Sequence, residues 1–169
     1  MFLKYRTSKG ARVWRRFIGS GAALDERVAD VASDASGRVY AAGTTQDDNF
    51  TIDHGFLSSL SAAGDSAWTD VFWLASEQDS QFQVVSAGAA GGCAGGGWAD
   101  TVIGGKDFVV RYFNTSGPAV VWSFLTGDAI GDDFCRSVLV RGTAVYVAGE
   151  VYNGAASSTD AALFKLDVF

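Results

Sequence analysis

Short apolar runs separated by turns of glycine, aspartate and serine follow one another along the whole chain. They are rich in Val, Tyr, Phe and Trp, and none sustains the three-to-four-residue apolar period of a surface helix, so they read as β-strands. Four kinds of strand alternate. The first kind is 28–33, 82–87 and 135–140 (VADVAS, FQVVSA, CRSVLV), and the second is 38–43, 93–97 and 144–149 (RVYAAG, CAGGG, AVYVAG). The third is 56–60, 108–113 and 161–166 (FLSSL, FVVRYF, AALFKL), and the fourth is 12–17, 67–73 and 119–125 (RVWRRF, AWTDVFW, AVVWSFL). The first and second kinds show little strict alternation of polar and apolar positions, which predicts strands covered on both faces.

The order of these strands is an internal repeat. Trp14, Trp68 and Trp122 fall 54 residues apart, each four or five residues after a glycine (Gly10, Gly64, Gly117). Aligned on that repeat, with shifts of one or two residues in the last unit, Asp25 falls in register with Asp79 and Asp132, Val31 with Val85 and Val138, and Gly43 with Gly97 and Gly149. Phe2-Leu3 aligns with Phe56-Leu57, Val109-Val110 and Ala162-Leu163, so residues 1–169 form one repeat region with units of about 2–55, 56–108, 109–161 and a partial 162–169. A repeat of this length built from short strands predicts an all-β fold of β-propeller blades, each with four antiparallel strands. By strand count the chain begins with the third and fourth strands of one blade, supplies two whole blades and ends after the third strand of another. A propeller ring closes with about four to eight blades. About three are present, so a protein partner, a longer polypeptide or self-association is expected to complete the ring. In the sharpest version a two-fold dimer closes six blades, with residues 12–17 of one copy supplying the outer strand that the other lacks.

The unit resembles the bacterial seven-bladed β-propeller repeat family. The resemblance is carried by Gly10, Val13-Trp14, Asp25, Gly37 and Val39-Tyr40-Ala41-Ala42-Gly43, and most fully by Val145-Tyr146-Val147-Ala148-Gly149 and Leu163-Phe164-Lys165-Leu166. It covers nearly the whole chain and is weakest at Cys93-Ala94-Gly95-Gly96-Gly97, where small residues replace a bulky strand. It implies a propeller, commonly in secreted or surface proteins, with no catalytic residues. An extracellular or cell-surface location follows from the resemblance alone, since the N-terminus lacks the apolar core of a secretory signal.

Of the 169 residues 48% are hydrophobic and 13% aromatic, enough for a packed core, and no apolar run is long enough to cross a membrane as a helix. One proline against 21 glycines suits many tight turns. The net charge of −6 is uneven: residues 1–24 carry six bases and no acid. That stretch has the composition of an organellar leader, but its Phe-Leu, Gly10 and Trp14 stand in register with the repeat, which a leader has no reason to do. An acidic protein repels phosphate over most of its surface, so nucleic acid is not an expected partner.

Strand order sorts the connections onto two ends, and fourteen of the nineteen acids fall in the long connections at one of them. Such a rim favours a hard cation or a basic partner, with Asp128, Asp132 and Asp133 the candidate calcium ligands. Aspartate is also a common turn residue that satisfies its own loop backbone, and that is the simpler reading of the repeated Asp25, Asp79 and Asp132. Trp14, Trp68 and Trp122 are expected to be structural, each packing an outer strand against the next blade, with a stacking platform for a sugar or quinone as the lesser alternative. No other cofactor is expected.

Cys93 and Cys135 match neither zinc spacing nor a CxxC pair and replace apolar core positions, so buried free thiols are expected rather than a bridge. The run from Gly88 to Gly97 lacks the Lys-Ser/Thr of a phosphate loop. His54 reads as a loop residue, with no serine placed to form a triad. Asn49 and Asn114 begin N-x-S/T sequons in predicted surface loops and would be glycosylated if a eukaryotic source secretes the chain. The leading expectation is a non-enzymatic scaffold or binding surface. The alternative is a cofactor- or carbohydrate-binding propeller, quinoprotein-like or lectin-like, which would require Asp30, Gln83 and Arg136 of the first strands to converge on a ligand.

Overall fold

The computed structural model describes residues 2–5, 10–17, 25–46, 51–72, 78–101, 105–115, 117–127 and 131–168. Among them there is no helix. The strands are β1 (Phe2–Tyr5), β2 (Arg12–Arg16), β3 (Glu26–Ser33), β4 (Val39–Gln46), β5 (Asp53–Leu60), β6 (Ser66–Phe72), β7 (Ser80–Ala87), β8 (Cys93–Asp100), β9 (Lys106–Phe113), β10 (Val120–Thr126), β11 (Phe134–Arg141), β12 (Ala144–Asn153) and β13 (Ser158–Asp167). They form four sheets in chain order, β1-β2, β3-β4-β5-β6, β7-β8-β9-β10 and β11-β12-β13, and every neighbouring pair is antiparallel. The succession of two, four, four and three strands follows the four strand kinds read from the sequence.

Strands outrun their apolar centres. β5 begins at Asp53 rather than 56, and β12 and β13 pair as far as Asn153 opposite Ser158. Backbone pairing needs only an N–H and a carbonyl, so polar residues at strand ends join the ladder. His54 is therefore not a loop residue: it lies in β5 opposite Thr45 and is buried. For the same reason Glu26, Asp53, Asp100, Asp107, Glu150 and Asp160 stand on strand ends rather than in loops.

Each first strand carries a bulge at the same place, between Val28 and Asp30, Phe82 and Val84, and Cys135 and Ser137. The repeated glycines answer to it. A Cβ on Gly43, Gly97 or Gly149 would stand 2.0, 1.8 or 2.0 Å from the carbonyl oxygen of Arg27, Gln81 or Phe134, so the bulged strand approaches the second strand at a distance only glycine permits. In β1-β2 the ladder places Trp14 opposite Lys4, whereas Trp68 faces Ser59 and Trp122 faces Tyr112. Lys4 thus takes the place of Ser59, and the alignment of Phe2-Leu3 with Phe56-Leu57 is one residue out.

The sheets pack face to face in chain order, β7 against β3, β4 and β5, and β11 against β7, β8 and β9. Tyr40, Leu57, Trp68, Phe82, Val85 and Phe113 fill the junction of β3–β6 with β7–β10. Ala94, Phe108, Val110, Cys135, Val145 and Val147 fill that of β7–β10 with β11–β13. Burying each large side chain contributes about 1.5–3 kcal/mol. The small residues of β8 are the floor of both junctions: a Cβ on Gly95 would meet Leu57 of the preceding sheet, and one on Gly96 would meet Cys135 and Val138 of the following sheet. Close packing on both faces accounts for the glycine run that superficially resembles a phosphate loop.

Candidate interaction surface

The three tryptophans occupy equivalent fourth strands, β2, β6 and β10, and each faces the next sheet. Trp14 packs against the cluster of Ala41 and Leu60, and its Nε1–H donates to the Ala62 carbonyl at 3.1 Å. Trp68 stacks on Phe113 with ring centroids 5.2 Å apart, and Phe113 is the repeat counterpart of Leu60. Trp122 lies in the last junction, whose margin includes Leu166, the next counterpart. Two residues beyond the tryptophan a second contact recurs with different chemistry. Asp70 pairs with Arg111 at 2.6 Å, and at the corresponding places Phe124 meets Phe164 with centroids 5.3 Å apart. Burial raises the Asp70 carboxyl above its usual range, against the pull of Arg111, and burial lowers the Arg111 guanidinium.

The repeated aspartates do hold backbone, but that of the preceding sheet rather than of their own loops. Asp79 Oδ1 accepts from the Asp53 N–H at 2.8 Å, and Ser80 Oγ accepts from the Gly55 N–H at 2.9 Å, both at the start of β5. One unit later Asp132 Oδ1 accepts from the Lys106 N–H at 3.0 Å at the start of β9. Asp25 pairs with Arg27 at 3.6 Å on the surface. Asp133, fully buried, uses Oδ1 to accept from the Tyr152 N–H of its own sheet. Asp128 lies outside the described residues. Among the described residues no group of three or more His, Cys, Asp or Glu is gathered as a metal ion requires.

These contacts set an expectation for Asp132. Asp132→Ala should lose about 1–2 kcal/mol in denaturant unfolding, while Asp132→Asn, whose amide oxygen still accepts from Lys106, should lose well under half as much. Both losses should be the same with and without millimolar calcium. A calcium-dependent rise in melting temperature, abolished in Asp132→Asn, would place an ion there instead.

Of the first-strand polar residues, Asp30 and Arg136 turn to different partners. Asp30 accepts from the Val85 N–H at 2.9 Å, while Arg136 turns to Glu150 with two contacts of 3.2 Å. Cys93 and Cys135 are buried free thiols, and burial pushes Cys135 up to about 12. Asn114 is exposed in the turn after β9, and Asn49 lies outside the described residues. At the short-turn end Asp34, Arg38, Gly91 and Thr115 line an open cavity of about 270 Å³. Arg38 donates to the Thr115 carbonyl at 2.8 Å. Although burial opposes it, hydrogen bonds from Ser36, the Arg38 N–H and Tyr40 hold the Asp34 carboxyl below its usual range.

What the arrangement leaves open is apolar. Leu57 and Val110 are wholly buried by the sheet that follows them, yet their counterpart Leu163 is 77% exposed. Tyr40 is wholly buried and its counterpart Tyr146 is 38% exposed. At the other end Phe82 and Cys135 are buried while Val28 is 39% exposed, and Val31, the counterpart of the buried Val85, is 53% exposed. Sequence reasoning missed these four side chains, because nothing in the repeat distinguishes a covered copy from an uncovered one. Scanned against protein-family models and searched against curated proteins, the chain finds no match.

Proposed function

We propose that the chain is a β-propeller repeat module, akin to the bacterial seven-bladed repeats it resembles, that serves as a non-enzymatic scaffold or binding surface in a secreted or surface protein. The observation that carries this reading is the recurrence of one junction. In each described case the first strand of a sheet seats on the second and third strands of the sheet before it, through the same repeat positions. Nearest-neighbour stacking of four-stranded units with one repeated offset is the construction of a propeller arc. The binding role rests on the apolar positions left uncovered at the two end sheets, since exposed apolar surface flanked by charge is where proteins associate.

Small-angle scattering tests the arrangement. A propeller arc gives a curved particle, and a straight stack of sheets would overturn the reading. Tryptophan fluorescence titrations with a quinone cofactor and with oligosaccharides test the role. No saturable change is expected, and saturation by either would move the protein to the cofactor- or carbohydrate-binding class.

A further inference from the structure

We infer that the two uncovered faces are the halves of a single junction, and that a second copy of this chain supplies the missing half, head to tail. The inference rests on the repeat-module reading and names its partner. In both junctions within the chain, a first-strand face (Phe82 and Val85, then Cys135) covers a second- and third-strand face (Tyr40 and Leu57, then Ala94 and Val110). The uncovered Val28 and Val31 of β3 are a face of the first kind, and the uncovered Tyr146 and Leu163 of β12 and β13 are a face of the second kind. Tyr40 and Tyr146 are the same residue at the same repeat position, one covered and one not. Every element needed to cover Tyr146 and Leu163 therefore already exists in the chain, at its opposite end. One chain cannot join its own ends without closing a ring, but two copies can.

Charge and strand pairing support the same partner. β2, beside the β3 face, exposes Arg12 and Arg15, and β13 exposes Asp160 and Asp167 at its two ends. β5 and β9 each pair with a fourth strand, whereas β13 has none along its outer edge among the described residues. In the register of the other sheets Trp14 of the second copy would stand opposite Lys165, as Trp68 does opposite Ser59 and Trp122 opposite Tyr112. β1 and β13 are both third strands and compete for that place. β1 holds β2 by four residue pairs and β13 holds β12 by ten, so β13 keeps the place and β1 gives way. The interface is heterologous, one surface meeting a different one, and not two copies of the same face.

The test is sedimentation of the full chain and of Val31→Glu and Leu163→Glu, singly and mixed. Wild type is expected at twice the chain mass or more at tens of micromolar. Each variant alone should associate at least about tenfold more weakly, because a buried unpaired carboxylate disfavours the joined state. Both positions are largely exposed in the single chain, so the variants should melt within a few degrees of wild type. Mixed, the two variants should form a one-to-one pair, since the intact tail of Val31→Glu fits the intact head of Leu163→Glu. A wild-type chain of single mass at all concentrations would overturn the inference. So would a Val31→Glu chain that still self-associates, which would mean that two tails meet. If wild type is single but its scattering is curved, only this junction falls; if the scattering is straight, the repeat-module reading falls with it.

Discussion

Asp70→Ala is expected to destabilise the fold by about 3 kcal/mol in urea unfolding, and Asp70→Phe combined with Arg111→Phe to bring stability back to within about 1 kcal/mol of wild type or above it. The ion pair is mostly buried, with side-chain exposures of 16% and 14%, and the Arg111 guanidinium also lies over the rings of Phe72 and Phe113. Removing the carboxylate leaves that cation in the junction without its counter-ion. Removing both charges restores the arrangement the protein already uses one junction later, where Phe124 meets Phe164. The direction of the Asp70 titration agrees. Its carboxyl is raised in the folded state, by burial first and despite Arg111, so the group favours folding most in acid and loses that contribution as pH rises through its folded value. An unchanged midpoint for Asp70→Ala would show that the junction does not depend on the pair.

Gly97→Ala is expected to be about as costly, 3 kcal/mol or so, and Gly43→Ala and Gly149→Ala to match it. The new methyl group would lie within 2.0 Å of a backbone carbonyl in all three cases, and a backbone atom cannot rotate aside as a side chain can. Relief would mean flattening the bulge in β3, β7 or β11, which turns the side chains beyond it to the wrong face. Gly117→Ala is the control. Its Cβ meets nothing within 4 Å, and it should cost nothing or gain a few tenths of a kcal/mol. Equal melting temperatures for the Gly97 and Gly117 variants would refute the close approach.

Much of this fold was legible because the repeat imposes the same physical demand at the same place. Trp14, Trp68 and Trp122 land in equivalent fourth strands because that position of the unit meets the neighbouring sheet in every copy. Gly43, Gly97 and Gly149 recur because one bulge recurs. Strand ends were less legible: His54 and Asp160 join ladders through backbone groups that carry no mark in side-chain polarity.

The partners of Asp79 and Asp132 were hidden for another reason. Their spacing marks a turn, but the N–H groups they hold belong to residues 53 and 106, twenty-six positions earlier and in another sheet. Asp70–Arg111 and Phe124–Phe164 were invisible as a pair of equivalents, since an ion pair and two aromatic rings share a place without sharing a hydropathy. The open faces lie further still from the sequence, because Leu163 and Leu57 differ in what covers them and in nothing else.

The chain carries its own chemical reporters of how its sheets come apart. Cys93 is sealed in the junction between β3–β6 and β7–β10, and Cys135 in that between β7–β10 and β11–β13. Burial holds both thiols in the protonated, unreactive form, so alkylation waits for a local opening. Because each thiol answers to a different seam, the rates at which a maleimide labels the two give the opening free energies of the two seams separately. A change that loosens one end of the array can in this way be told from one that loosens the whole.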